Sequence, residues 1–419
     1  MSTQQTSLMY PKAMIAEFGV SAEYFISPPN AAEIDDSGLL RKETLAAMDD
    51  MLREQLRKKL ADYEPDGLGI GTNPNNRWRT ASCMQKAIRF RDVEMARFAA
   101  TAAHDMDSAY VLRRLGVTAV EDVGAGSIWG MCAALAALGN RAWRQEVGEK
   151  KLVAWLAEHL AKAAKDRTLC ELVCMADFDR LVPKDEWASM PDEALLKVVR
   201  DPGMPIEERA IAAWLAAGTK RFEGMTMPKD NARSVVPLLR AMHETGLPRA
   251  LLYVAMRTAS RLNEILFAMV PFMHEALVAQ AKSGQPPVLI PGELPQGPMP
   301  KVGLLLGAAY DMHTREGRIA LRKFELECPA VGEFRHMLGD RTFEETLLGF
   351  GVFCAEGGVL ETRVGYADSE QWRALAHRLE LSFPGLPEEQ HAPFLKAIRE
   401  NLPQLNEIRE RVLWATKHR

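Results

Sequence analysis

The stretch SCMQKAIRFRDVEMARFAATAAHDMDSAYVLRRLGVTAVEDVG, residues 82–124, decides the fold. Its apolar residues recur three and four apart and none alternate with polar ones, which is the period of helices rather than strands. It reads as two consecutive helices. The first carries Ser82, Lys86-Ala87-Ile88-Arg89, Asp92 and Ala96, and the second carries Arg113-Arg114-Leu115, Ala119 and Glu121-Asp122-Val123-Gly124.

The same period runs outward in both directions. Residues 42–62 form a long amphipathic helix, with Leu45, Met48, Met51, Leu52, Leu56 and Leu60 on one stripe and charges between them. From Thr80 to about Thr219 helix follows helix, punctuated at Gly124–Gly126, Gly139-Asn140, Pro183, Pro191 and Pro202-Gly203. A further helical run extends from near Asp230 to near Lys282. Between Ser283 and Pro300, six of eighteen residues are proline and three are glycine, which is the composition of a linker or surface crossover. Helices resume at Lys301, and Gly357–Gly365 is the best candidate for a small β-hairpin, near 358–365. The chain closes with one long amphipathic helix from Glu388 to about Lys417. The expected fold is all-α: stacked helices in two lobes. It divides into an irregular N-terminal arm (1–40), a helical domain (41–225), its helical continuation (226–283), a proline-rich linker (284–300) and a C-terminal helical domain (301–419).

A chain of 419 residues with 47% hydrophobic content buries a large core. A net charge of −4 and a pI near 6.2 argue against a dedicated nucleic-acid coat, though not against a local basic patch. The first residues lack a basic segment followed by an apolar one, so no secretory signal is expected. The most apolar window, Leu247–Gln280, is broken by Arg249, Arg257, Arg261, Glu264 and His274, which excludes a membrane span. The six cysteines sit mostly in apolar helical stretches, as in a reducing compartment, and a cytoplasmic location is expected. Cys170 and Cys174 are four apart, yet no second Cys or His pair stands at metal-ligand spacing, so no metal is expected.

The string in residues 82–124 resembles the helical segment that follows the ATPase core in the RarA/MgsA family, the clamp-loader-like AAA+ proteins of replication-fork maintenance. There the pattern is a Ser and KAIR-x-x-D, then RR-L-x-x-x-A-x-E-D-(I/V)-G. The ATPase core itself is missing: the chain contains no G-x-x-x-x-G-K-[ST], so the phosphate cradle and its lysine are absent. The glycine-rich element Gly67–Gly71 follows a helix and lacks dinucleotide-fingerprint spacing. The resemblance implies that Lys86, Arg89, Arg113, Arg114, Glu121 and Asp122 stand at helix ends and helix contacts as structural ion pairs. Paired carboxylates for acid/base work are the sharper alternative for Glu121 and Asp122.

Two further clusters carry chemistry. Arg77, Trp78, Arg79, Lys86, Arg89 and Arg91 have no acidic residue among them, and arginines interleaved with a tryptophan suit phosphate contact and base stacking. The plainer account is a solvated helix start with Trp78 folded onto the core. Around Tyr310–Arg318, the residues Asp311, His313, Arg315 and Arg318 would build an anion pocket, or else a charged inter-helix turn with His313 capping a helix end. His104-Asp105 lacks the earlier histidine ligand that a metal phosphohydrolase dyad requires.

These readings lead to a non-catalytic helical subunit of a DNA replication, recombination or mobile-element complex. It would act through self-association in a homo-oligomer or protein complex and through DNA contact, with no cofactor. The alternatives are an enzyme acting on a phosphorylated substrate at Asp311–Arg318 and a helical protein-interaction scaffold.

Overall fold

A computed structural model describes residues 16–65, 76–178, 182–218, 235–294, 298–338 and 346–417. Helix accounts for 74% of it and strand for 4%, so the chain is all-α. The helices of seven or more residues are α1 (Lys42–Ala61), α2 (Arg77–Arg89), α3 (Val93–Met106), α4 (Ser108–Thr118), α5 (Ile128–Leu138), α6 (Arg141–Val147), α7 (Glu149–Lys162), α8 (Thr168–Phe178) and α9 (Asp192–Arg200). They continue with α10 (Ile206–Ala216), α11 (Val235–Glu244), α12 (Arg249–Arg257), α13 (Val270–Lys282), α14 (Arg315–Glu327), α15 (Ser369–Ser382), α16 (Glu388–Glu400) and α17 (Leu402–Lys417). The glycine-rich element at 67–71 lies outside the described residues.

The centre of the main core is α5. Its sequence, Ile-Trp-Gly-Met-Cys-Ala-Ala-Leu-Ala-Ala-Leu, is apolar all round, and the alanines let α1, α4 and α12 pack closely on it. Helix α1 presents Leu45, Met48, Leu52, Leu56 and Leu60 to this core; burying each such side chain stabilises the fold by roughly 1.5–3 kcal/mol. The buried Asp49 ties α1 to the end of α12, accepting from Arg257 Nη2 at 2.6 Å and from the Tyr253 hydroxyl and Arg261.

The boundary between the cores does not fall at the proline-rich segment. A second core gathers Leu321, Phe324, Leu348, Phe394, Ile398 and Ile408 from α14, α16, α17 and the 348–352 helix. Val302–Tyr310 and Val359–Ala376 instead supply side chains to the main core. The segment 284–300 is strapped down: β1 (Val288–Pro291) pairs antiparallel with β4 (Thr362–Gly365), in the register Val288↔Gly365 and Leu289↔Val364. The hairpin expected near 358–365 is therefore corrected. The strand exists, but its partner lies in the proline-rich stretch, where the prolines flank Val288-Leu289-Ile290 and leave its amides free to pair. A second small pair joins β2 (Lys301–Val302) to β3 (Leu305–Leu306).

Two other expectations are refined. The described part of the N-terminal arm contains helical turns at Ala16–Ser21 and Ala22–Ile26, and Phe18, Phe25 and Ile26 are buried in the main core. The single closing helix breaks at Asn401, and Pro403, which has no N–H to donate, sits in the first turn of the new helix, whereas Pro393 is accommodated inside α16. Among the described residues no single helix is long and apolar enough to cross a membrane.

Candidate functional site

Three caps fix the helices that build the site. The Asn76 side chain accepts from the amides of Trp78 and Arg79 at 2.9 and 3.2 Å and starts α2. Asp92 accepts from Met95 N and Asp107 from Tyr110 N, each at 3.0 Å, starting α3 and α4. Each side-chain acceptor meets an amide that the helix cannot satisfy itself. With the starts fixed, the phase of each helix follows. One face of α2 then carries Trp78, Ser82, Gln85, Lys86 and Arg89, and one face of α4 carries Tyr110, Arg114 and Val117, with Glu121 a turn further on.

These two faces are walls of a cleft of about 460 Å³, within the range of small-molecule sites. The remaining walls come from Cys170 and Cys174 on α8, from Glu264–Leu266, from Asp311–Thr314, and from the 349–357 segment with Phe353 and Glu356. Two of the contributing segments, Ala119–Val123 and Phe353–Gly357, are single π-turns, which widen the helix and re-aim side chains.

The floor is a buried charge cluster. Asp122 is fully buried and accepts from Arg89 Nε at 2.8 Å, from Gln85 Nε2 at 3.0 Å and from Arg167. Glu121 lies 3.8 Å from both Arg89 and Arg167. Burial alone would raise the Asp122 pKa, but the Arg89 and Arg167 charges outweigh it and hold the carboxyl below its usual range. Gly124, at φ +47°, ends the π-turn and lets the Asp166 loop approach: a Cβ there would lie 2.6 Å from the Asp166 carbonyl oxygen.

One wall is a serine–lysine–aspartate cluster. Ser82 Oγ donates to Asp311 Oδ2 at 3.0 Å, Lys86 Nζ donates to Ser82 Oγ at 3.0 Å, and Lys86 and Asp311 form a direct ion pair. Burial pushes the Asp311 carboxyl up, and the Lys86 charge more than reverses that, leaving its pKa below the usual value. Ser82 already donates to Asp311 and accepts from Lys86, and a carboxylate of lowered basicity takes its proton poorly. Ser82 is thus a satisfied hydroxyl rather than an activated nucleophile.

Arg114 differs from the other cations of the cleft. Its Nη2 donates to Gln85 Oε1 at 2.6 Å, and among the described residues no carboxylate lies within ion-pair distance of it. Arg114 therefore lines a concave site as a half-buried guanidinium with no direct ion-pair partner, linked to Glu121 only through the Gln85 amide, which donates to Glu121 at 3.2 Å. Across from it, the amide of His313 is anchored to Asp311 Oδ1 at 3.0 Å, and desolvation draws the imidazole pKa below its ordinary value of 6.5.

The expected basic surface is not assembled. Arg79, Lys86 and Arg89 are buried: Arg79 lies 3.4 Å from Glu316 and against the Tyr310 ring, and the other two belong to the clusters above. Arg77 is exposed and paired with Asp107, while Arg91 is exposed, 3.5 Å from Glu361. Helix α2 turns Trp78, Lys86 and Arg89 to the cleft and Arg77 and Arg79 elsewhere, Arg91 lies beyond its end, and of the six only Arg77, Trp78 and Arg91 are exposed. The plainer account of Trp78 is corrected too, since it is 52% exposed at the cleft mouth. The anion pocket of four is likewise reduced. Asp311 and His313 line the cleft, but Arg315 and Arg318 begin α14 after the Thr314 cap and are exposed outside it. Arg113 is exposed and pairs with Glu264 at 3.2 Å.

Sequence reasoning missed Gln85, Tyr110, Phe353 and Glu356. The spacing of Tyr110, Arg114, Val117 and Glu121 was a readable stripe; the Phe353–Glu356 turn offered no such signal. Among the described residues no group of three or more His, Cys, Asp or Glu side chains is placed to hold a metal. No protein-family model, curated protein or solved structure matches the chain.

Proposed function

We propose that the cleft is a binding site for a small organic acid or phosphate-bearing molecule, with Arg114 as its anchor. The observation that carries this reading is the unpaired charge of Arg114 in a cleft whose other strong cations, Lys86 and Arg89, are already matched by Asp311 and Asp122. A guanidinium has five N–H donors in a planar fork, and a carboxylate or phosphate is the group that fits it bidentately. The quiescent Ser82–Lys86–Asp311 cluster supports binding without turnover, so the protein is read as a helical ligand-binding subunit. The assembly role implied by the resemblance would use other surfaces, because Lys86 and Arg89 are internal.

The test is calorimetric titration of the purified protein with methyl phosphate and with acetate, beside the Arg114→Gln variant. Binding that is at least tenfold weaker in the variant, with its melting temperature unchanged, is the expected result. Equal binding by both proteins, or none at millimolar concentration, overturns the reading.

A further inference from the structure

The mouth of the cleft carries aromatic groups that the fold does not use for its core. Trp78 is 52% exposed, although it begins a helix whose following residues are nearly all buried. It meets Tyr110 edge to face, with ring centroids 4.8 Å apart at 69°, and both rings line the cleft. The Arg77 guanidinium sits 4.9 Å from the Trp78 ring and 5.6 Å from the Tyr110 ring, and is itself held by Asp107. Arg77 is not among the lining residues, so the pair is braced from outside the cleft. Asp107 also caps α4, which locks the brace to the start of the helix bearing Tyr110 and Arg114. Rings held in this way lose little freedom when a further ring packs on them.

The distance between the rings and the anchor is set by the helix. Tyr110 and Arg114 are one turn apart on α4, about 6 Å along its axis at 1.5 Å per residue. Among the described residues neither the Trp78 Nε1–H nor the Tyr110 hydroxyl has a hydrogen-bond partner, leaving polar groups at the ring level as well.

Resting on the acid-binding reading above, we infer that the ligand is an aromatic or heteroaromatic acid. Its ring packs on Trp78 and Tyr110 at the mouth and its phosphate or carboxylate, about one helical turn deeper, sits on Arg114. Aryl phosphates, aryl carboxylates and nucleoside monophosphates share this chemistry. A simple alkyl acid fills only the inner half of the site.

The experiment compares phenyl phosphate, adenosine 5′-monophosphate, methyl phosphate and phenol by calorimetry on the full chain, using wild type, Trp78→Ala and Arg114→Gln. Trp78 is half exposed, so its removal leaves the core intact. At least one ring-bearing phosphate is expected to bind wild type ten- to a hundredfold more tightly than methyl phosphate, the roughly 1–3 kcal/mol typical of one ring stacked on an aromatic side chain. Trp78→Ala should erase that advantage while leaving methyl phosphate unchanged, and Arg114→Gln should weaken every phosphate. Equal affinity for ring-bearing and methyl phosphates, unaltered in Trp78→Ala but lost in Arg114→Gln, overturns this inference and leaves the acid-binding reading standing. Phenol binding as tightly as phenyl phosphate, or no binding by any probe, overturns both.

Discussion

Changing Asp122 to Asn removes the carboxylate to which both Arg89 and Arg167 donate and leaves the shape of the site nearly intact. All three groups are buried: Asp122 is 0%, Arg89 1% and Arg167 7% exposed. Breaking a buried ion pair from one side leaves an uncompensated charge and costs about 3–5 kcal/mol. Here two guanidiniums lose their main partner, with Glu121 still 3.8 Å from each, so the upper part of that range is expected. That is a large share of a typical total stability of about 5–15 kcal/mol. With a urea dependence of about 3 kcal/mol per molar, a loss of about 4–5 kcal/mol should lower the unfolding midpoint by roughly 1.3–1.7 M. Circular dichroism through a urea titration measures it. The sign of the pH dependence follows from the direction of the shift. The native Asp122 pKa is held below the ordinary 3.8 by the two arginines, so its contribution is present above that value and is lost as pH falls through the native pKa. The gap between wild type and variant should therefore be full at pH 7 and close in strong acid. A midpoint shift below about 0.3 M at pH 7 would refute the assignment of the cluster as the floor that holds the cleft together.

Glu171 works in the opposite sense: burial pushes its carboxyl up to about 8, partly offset by Arg167, against an ordinary 4.5. A raised carboxylate pKa penalises folding as pH climbs between those values, so Glu171→Gln should gain stability relative to wild type from pH 5 to pH 8, by up to about 5 kcal/mol, in melts run across that range. A Cβ at Gly126 would lie 2.1 Å from the carbonyl oxygen of Ala164, a backbone atom that cannot swing aside, so Gly126→Ala should lose about 3 kcal/mol or more in the same melts. His313 faces Asp311, Lys86, Glu121 and Arg114, and its pKa lies below 6.5. A bound acid would favour its protonated form, so phenylacetate affinity should rise severalfold as pH falls from about 7.5 to roughly 5.5. His313→Gln should flatten that profile in calorimetric titrations.

The helical period was legible because its cause is local, but the starts were not: residues 82–124 read as two helices, whereas α2 ends at Arg89, α3 begins after Asp92 and α4 begins after Asp107. Asn76, Asp92 and Asp107 are side-chain acceptors placed directly before apolar periodic segments, and each caps the helix that follows. Ser82, Lys86 and Arg89 were read as one helix's residues, and the same period puts them on one face of it. What α2 faces does not follow from that period, because Asp311 is brought to Ser82 and Lys86 from more than two hundred residues away, by contacts that no local pattern encodes. The β4 strand was readable from its glycines and β-branched residues, while its partner β1 was obscured by prolines that read as a linker. Arg315 and Arg318 were grouped with Asp311 by proximity in sequence. The Thr314 cap intervenes and begins a new helix that carries both arginines out of the cleft. Glu356 and Phe353 sit in a π-turn, where the 3.6-residue period fails and a stripe cannot be read.

The most direct test of the central claim is crystallographic: crystals soaked with 4-bromophenyl phosphate, with data collected at the bromine absorption edge. The account predicts an anomalous peak beside the Trp78 and Tyr110 rings, with phosphate density within hydrogen-bond distance of the Arg114 guanidinium. A bromine peak elsewhere on the molecule with the cleft empty would contradict it.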